Sequence, residues 1–404
     1  MTPWSALSDG EATVLEHAFW APGLSRETLA RATGLSRTRV NTLASGLLEQ
    51  GLLQESGLQT SSGGRRPGSL RLHRGLGVVL CAALGATGLD VAVLTPDLQL
   101  LARHGEAADV RNGPALVLSR VRALMRELLR DLKLAPAQVL AIGIGVPGPV
   151  DFDSGQLVNP PLMPDWDSFS IRDDLRQDYA APVFVDNDVN LMALAELWRL
   201  QRRLQNFLVI KVGTGIGCGI VCHGAVYRGV NGSAGDVGHI CVDPKGPRCH
   251  CGNLGCVEAM AAGPAIEGLA LDAAKRGDSP MLAQALAERG TISAQDVAQA
   301  SRSGDAAANA IVQRAGSLIG QMLASVVNFF NPSHVFIGGR ITAIGPLLLA
   351  SVRQSVYQRS LALSTRHLEI QYTPLGVQAG PLGAAVLALH ETLARRGQVA
   401  RGTA

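Results

Sequence analysis

Three cysteines, Cys249, Cys251 and Cys256, fall within eight positions, and His239 stands ten residues ahead of the first, in the stretch GHICVDPKGPRCHCGNLGCVE (238–258). If these four side chains share one ion, the chain from 239 to 256 must fold back on itself, whatever the rest of the sequence does. Four soft or borderline donors suit tetrahedral zinc. Protein would fill all four positions and leave none for water, so such an ion is structural rather than catalytic. The spacing is not that of a DNA-reading finger, because no second Cys-x2-Cys half or histidine pair accompanies it. A redox cluster or free thiols are the alternatives. Cys218 and Cys222 lie about 13 Å apart along a strand, too far to share one ion. With Cys81 and Cys241 they read as small core residues.

A chain of 404 residues has room for two or three domains, and 47% hydrophobic with 17% charged residues describes a globular protein. The net charge of +3 is too small to announce a polyanion partner, so affinity for nucleic acid must come from a local patch. The start, MTPWSALSDGE, has no basic stretch followed by an apolar run, so no signal peptide is expected. The apolar stretch 76–94 contains three glycines and Asp90, and reads as two strands joined by a turn rather than a membrane span. Cysteines clustered in this way do not form a secreted disulfide framework, and the cytoplasm is the default compartment.

The patch lies near the start. SDGE (8–11) is a capping box opening a first helix; 25–34 is a short second helix ended by Gly34; Ser36 caps a third with Val40, Leu43 and Leu47 at helical spacing. Two helices joined by a Gly-Leu-Ser turn form a helix-turn-helix, and 51–73 reads as strand, Gly/Ser/Pro-rich tip, strand, which is a β-wing. Between 31 and 74 there are seven arginines (31, 37, 39, 65, 66, 71, 74), no lysine, and only Glu49 and Glu55. In such a domain Arg37, Thr38, Arg39 and Asn41 on the third helix face the major groove, and Arg65 and Arg66 at the wing tip lie along the backbone or minor groove. A plain packing or dimerisation domain is the alternative. From residue 76 the chain becomes an α/β alternation with long helices at 114–132, 189–204 and 305–330, too long for one lobe. No short-period repeat is visible.

GIGVPG (143–148) satisfies a dinucleotide-binding expression, but Pro147 and the turn-rich residues after it deny it a following helix. VIKVGTGIGCGIV (209–221) is strand, glycine turn, strand; Gly213, Gly215 and Gly217 offer N–H groups to a phosphate, or simply make a hairpin. No Walker lysine follows. VFVDNDVN (183–190) puts Asp186, Asn187 and Asp188 at a strand end before a helix. There Asn187 can donate and accept to a hydroxyl and Asp188 can take its proton, or the group merely caps the helix.

Together these motifs resemble the ROK family (repressors, open reading frames, kinases), bacterial sugar kinases and sugar-responsive transcription factors built on the actin-like ATPase fold. The likeness rests on CHCGNLGCVE (249–258), AGDVGH (234–239), DNDVN (186–190), VPGPVD (146–151), VFIGGR (335–340) and GPLGAAVLA (380–388). It implies that Asn187, Asp188, Asp236, His239 and Glu258 face a sugar, with His239 also a zinc ligand beside Cys249, Cys251 and Cys256. Asp236 stands where the family usually has glutamate, and Leu162 where sugar-binding members often have asparagine. Family kinases open the domain with D-x-G-x-T; here the segment is ALGAT (83–87), and Ala83 replaces the aspartate that helps organise magnesium and phosphates. Gly85, Thr87, Gly213, Thr214 and Gly215 then mark a vestigial phosphate site. Asp188, the family's catalytic base, is present.

The expected fold class is an N-terminal, mostly α winged helix-turn-helix followed by an α/β two-lobed actin-like ATPase (ribonuclease H-like) ROK domain. The expected boundaries are 1–75 for the DNA-binding domain, 76–187 for the first lobe, completed by about 380–396, and 188–379 for the second lobe with the zinc motif. The expected function is a non-catalytic, sugar-responsive regulator, most simply a repressor of carbohydrate genes. Its expected partners are a double-stranded DNA operator, a sugar or sugar-phosphate effector in the inter-lobe cleft, and further copies in a homodimer or homotetramer; no membrane is involved. Structural Zn2+ is the one cofactor. ATP and Mg2+ enter only under the alternative, a hexose or N-acetylhexosamine kinase with an attached DNA-binding head. A DNA-binding protein whose sensor lobe only dimerises is a third possibility.

Overall fold

The computed structural model describes Trp4 and residues 7–58, 68–160 and 163–394. They form two compact units, 1–203 with 378–404, and 204–377.

The first unit begins with α1 (Asp9–Trp20), α2 (Arg26–Thr33) and α3 (Arg37–Glu49). Each starts where a serine oxygen takes up an otherwise unpaired backbone N–H: Ser8 from Glu11, Ser25 from Thr28, Ser36 from Arg39. The Ser8–Glu11 pair is a reciprocal capping box, as its sequence indicates. Gly34 ends α2 in the left-handed region at φ 70°, which turns the chain into α3. β1 (Leu53–Leu58) and β2 (Gly68–Leu72) pair antiparallel, and Leu24 bridges Leu70 as a third short edge. The result is a winged helix.

The body of this unit is β3 (Val78–Gly85), β4 (Gly88–Leu94), β5 (Leu100–Glu106), α4 (Pro114–Asp131), β6 (Val139–Val146), β7 (Val150–Asp151), β8 (Gln156–Leu157), α5 (Ile171–Arg176), β9 (Val183–Asn187) and α6 (Asp188–Arg199). Its sheet runs β5-β4-β3-β6-β9, with β3 antiparallel to β4 and parallel to β6. The apolar stretch at 76–94 is therefore a hairpin, closed where Gly85 faces Gly88.

The second unit holds β10 (Phe207–Val212), β11 (Ile216–Cys222), β12 (Ala225–Tyr227), α7 (Val257–Ala261), α8 (Gly263–Arg276), α9 (Pro280–Arg289), α10 (Ala294–Arg302), α11 (Ala306–Phe330), β13 (His334–Gly338), α12 (Pro346–Arg359), α13 (Ala362–Thr365) and β14 (Glu369–Tyr372). Its sheet, β12-β11-β10-β13-β14, repeats the order and strand directions of the first. Both sheets are a three-stranded antiparallel meander extended by two parallel strands. Among described helices α11 is long and apolar enough to cross a membrane. Here it is a core helix: a Cβ on Gly320 would lie 2.6 Å from Val352 O, so α11 lies close against α12.

The chain returns in α14 (Ala379–Ala394), which completes the first unit. A Cβ on Gly143 of β6 would collide with Ala384 O, and one on Gly383 would collide with Leu191 O of α6. Gly143 and Gly145 of GIGVPG thus serve close helix packing, and β6 is buried at every position. The boundary expected at 187/188 falls at 203/204, because α6 packs on α14.

The head, expected as a separate domain over 1–75, belongs to the same compact unit as the first sheet. One reason is Asp97 in the β4–β5 turn, whose side chain is 1% exposed and accepts from Arg74 Nε at 2.9 Å, Arg71 Nη1 at 3.4 Å and Thr95 Oγ1 at 2.6 Å.

Overpacking a tight contact typically costs about 1–3 kcal/mol, occasionally more. Gly383→Val should therefore lower the denaturation midpoint by a corresponding amount; an unchanged midpoint would mean that α14 can slide on α6.

Candidate functional site

The loop 239–256 is folded by its own backbone. Cys249 N donates to Asn253 O at 2.8 Å, Gly252 N to Cys249 O at 3.0 Å and Val242 N to Gly255 O at 2.9 Å, and Cys241 bridges Cys256. Gly252 and Gly255 make these reversals at φ 92° and 67°, a region that favours glycine. The ligand atoms of His239, Cys249, Cys251 and Cys256 all lie within 4.8 Å of one another. Cys251 Sγ is 3.7 Å from Cys256 Sγ, and Cys249 Sγ is 3.5 Å from His239 Nδ1. A zinc tetrahedron has edges of about 3.8 Å between sulfurs and about 3.5 Å from sulfur to nitrogen. The four residues fit that ion. Burial raises Cys249 and pushes the Cys256 thiol up to about 12, while the Asn253 N–H lowers Cys251. A divalent cation would favour all three thiolates.

The knot has two outlets. His239 Nε2 points away from it, 3.8 Å from Oδ1 of the exposed Asp236. Cys256 caps α7, and two residues on Glu258 Oε2 accepts from Ile216 N at 2.9 Å, at the glycine turn between β10 and β11. A Cβ on Gly215 would meet that carboxylate oxygen at 2.6 Å. Asp236, His239 and Glu258 thus belong to one loop system in the second unit.

Asn187 and Asp188 belong to the first unit, at the end of β9 and the start of α6. Asn187 is the cap: its Oδ1 accepts from Val189 N at 2.9 Å, and its Nδ2 donates to Gly148 O at 2.8 Å. Half its amide capacity is therefore structural. Asp186 is buried and accepts from Asn187 N and Asn190 Nδ2, which fixes the strand end. Asp188 stands half-buried on the first turn of α6, which Asn187 caps.

The phosphate-site expectations fare differently. Ala83 faces Asp90 across the hairpin, and Asp90 Oδ1 already accepts from Arg103 Nε at 2.7 Å. Gly85 and Thr87 lie at the β3–β4 turn, with Thr87 exposed. Gly213, Thr214 and Gly215 form the β10–β11 turn, but Gly213 N donates to Gly215 O at 2.9 Å and its carbonyl accepts from Gly263 N at 2.8 Å. Gly217 pairs with Lys211 inside the sheet. The N–H groups read as a phosphate cradle are largely engaged in the hairpin itself.

On the head, Arg37, Thr38, Arg39 and Asn41 are exposed on α3, while Val40, Ala44 and Leu47 face inward. Arg37 Nη2 reaches Glu27 Oε1 at 3.1 Å, an exposed pair that costs little to break. Arg65, Arg66 and Leu162 lie outside the described residues. Two of the seven arginines, Arg71 and Arg74, hold Asp97 and fasten the head to the sheet. Cys241 is exposed rather than a core residue, because it edges the metal loop, whereas Cys81 and Cys218 are buried. Asp97 itself carried no signal in the sequence; it is one aspartate in a turn.

The geometry agrees with the comparisons to known proteins. The family model described as ROK family matches residues 79–391. The chain is 29% identical over 387 residues to a putative xylose repressor of Caldicellulosiruptor sp., covering 95% of this chain and 94% of that one. It is 31% identical over 302 residues to a glucokinase of Halalkalibacterium halodurans, covering 74% of this chain and 91% of the kinase. A crystal structure of a ROK family transcriptional regulator, a homolog of the E. coli MLC protein, superposes with a TM-score of 0.79 at 27% identity, over 96% of this chain and 97% of that one.

If the knot holds zinc, purified protein should carry about one zinc per chain, and Cys251→Ser should lose at least about tenfold in zinc affinity. Metal analysis and titration with a chelator check this; full zinc retention in the variant would remove Cys251 from the ligand set.

Proposed function

The chain belongs to the ROK family, and from that premise we propose that it is a sugar-responsive DNA-binding transcriptional repressor of carbohydrate-metabolism genes. The observation that carries this reading is the winged helix with an exposed α3. The match to the xylose repressor runs through it, whereas the glucokinase is almost fully covered while about a quarter of this chain has no counterpart in the kinase.

In this reading Asn187, Asp188, Asp236, His239 and Glu258 contact the sugar. Asp188 accepts from a sugar hydroxyl, and Asn187 offers its remaining N–H. His239, Cys249, Cys251 and Cys256 would hold a zinc ion that would supply structure rather than a reaction step. Ligation through Nδ1 would leave a proton on His239 Nε2 to donate. Through Cys256 and α7 the same knot sets Glu258. Ala83 cannot organise magnesium, so the chain binds its sugar without phosphorylating it. Arg37, Thr38, Arg39 and Asn41 read the operator, Arg65 and Arg66 extend the contact, and a homodimer or homotetramer presents paired heads to paired half-sites. The cytoplasm, where the operator lies and thiols stay reduced, is the place of action.

A second reading, an ATP- and magnesium-dependent sugar kinase carrying a DNA head, is favoured by Asp188 and by the kinase relatives. A coupled assay over D-glucose, D-xylose and N-acetyl-D-glucosamine decides it. No turnover is expected; turnover that disappears in Asp188→Ala would establish the kinase.

Selection and sequencing of genomic fragments held by the full chain should recover a palindromic site whose occupancy changes with one of these sugars. Arg37→Ala should cost about 1–3 kcal/mol at that site and much less on unrelated DNA. Enrichment of no sequence in either condition would overturn the repressor reading.

A further inference from the structure

α6 is one unbroken helix of 12 residues, about 18 Å long at 1.5 Å per residue. Its near end carries Asn187 and Asp188, assigned above to the sugar. The far end holds the DNA-binding head. Trp198 Nε1 donates to Phe19 O at 2.9 Å. Just past the helix, the Arg202 guanidinium lies 3.8 Å from the centroid of the Trp20 ring, and its Nη1 is 3.6 Å from Glu16 Oε1. Glu16, Phe19 and Trp20 all belong to α1. α14 supports the same contact: its His390 ring meets Trp20 edge-on at 5.2 Å, and its Gly383 locks against α6. One rigid pair of helices therefore touches the strand end that presents Asp188 and also the first helix of the head.

Three features allow this junction a second arrangement. The chain leaves α6 through Gln201 and Arg202, both non-glycine residues at positive φ, 52° and 55°, where backbone strain is stored. A cavity of about 430 Å³ lies beside Trp20 and Arg202, which gives both side chains room to repack. Trp20 is 4% exposed and its Nε1 has no hydrogen-bond partner, a cost that a rearranged junction can relieve. Packed contacts of this kind change between discrete arrangements rather than by continuous deformation.

We propose that α6 transmits sugar occupancy to the head, with Trp198 and Arg202 as the contacts that pass a shift at Asp188 into α1 and so change where α3 is held. This rests on the sugar-responsive reading above and names the regulation of that same site. The sugar acts only through its differential affinity for the two arrangements, and by linkage operator DNA must change sugar affinity by the same factor.

The test uses the full chain and the operator recovered by selection. Operator affinity is measured with and without D-xylose, D-glucose and N-acetyl-D-glucosamine, and sugar affinity by calorimetry with and without operator. Variants are Trp198→Phe, which removes one N–H, and Arg202→Gln. If Arg202→Gln fails to fold, Arg202→Lys keeps the charge and loses the planar stacking. A sugar that changes operator affinity about tenfold or more in the unaltered chain should change it less than about threefold in each variant, while sugar affinity of the free protein stays within about twofold. A full sugar response in folded Trp198→Phe and Arg202 variants overturns the proposal. Loss of sugar binding in them also overturns it, because the contacts would then serve the sugar site and not the head. If no sugar in the panel alters operator affinity in the unaltered chain, the parent reading fails, and the proposal with it.

Discussion

Much of the first unit depends on the closeness of α14 to α6 and β6. Glycines 143 and 383 remove the side chains that would hold these elements apart, so the last described helix seals the sheet built from residues 78–187. With α14 in place, α6 is fixed at both ends. One end is the strand terminus where Asp186 and Asn187 order the backbone ahead of Asp188; the other is the grip on α1. The same contact explains why the winged-helix head does not stand apart. α1 rests on the α6–α14 pair, and β2 with the residues after it is fastened through Arg71 and Arg74 to a nearly buried Asp97. Asp97 is the buried member, and leaving its carboxylate without these partners is costly, which makes the contact a clasp.

In the second unit the organising constraint is the convergence of four ligand atoms in the loop 239–256. Backbone bonds across the loop set most of that geometry, and the sulfur and nitrogen separations match tetrahedral edges. The consequence is directional. Nδ1 of His239 faces the cluster, so Nε2 faces Asp236, and the helix begun at Cys256 carries Glu258 to the glycine turn. An ion held by all four would have closed coordination and would order polar groups without taking part in chemistry.

How much of this was legible in the residues differs from element to element. The capping box at Ser8, the αL glycine at 34, the hairpin at 76–94 and the metal loop are local, and local rules find them. By contrast, seven arginines between 31 and 74 look alike in sequence, yet two of them face Asp97 and belong to packing. The glycines at 143, 213 and 217 look like ligand-binding glycines, yet they serve helix approach and strand pairing. A glycine records only that a side chain is not tolerated, not what takes its place.

Spacing within a few dozen residues carries the winged helix, the α/β body, the clustering of His239 with Cys249, Cys251 and Cys256, and the family. Only the tertiary structure decided that the two sheets repeat one topology, since strand order depends on pairings between segments far apart in the chain and leaves no short period behind. It alone decided that α6 belongs with the first unit and joins Asp188 to the head. Those outcomes follow from which surfaces are close enough to exclude a Cβ, a property of two segments at once that neither segment records alone.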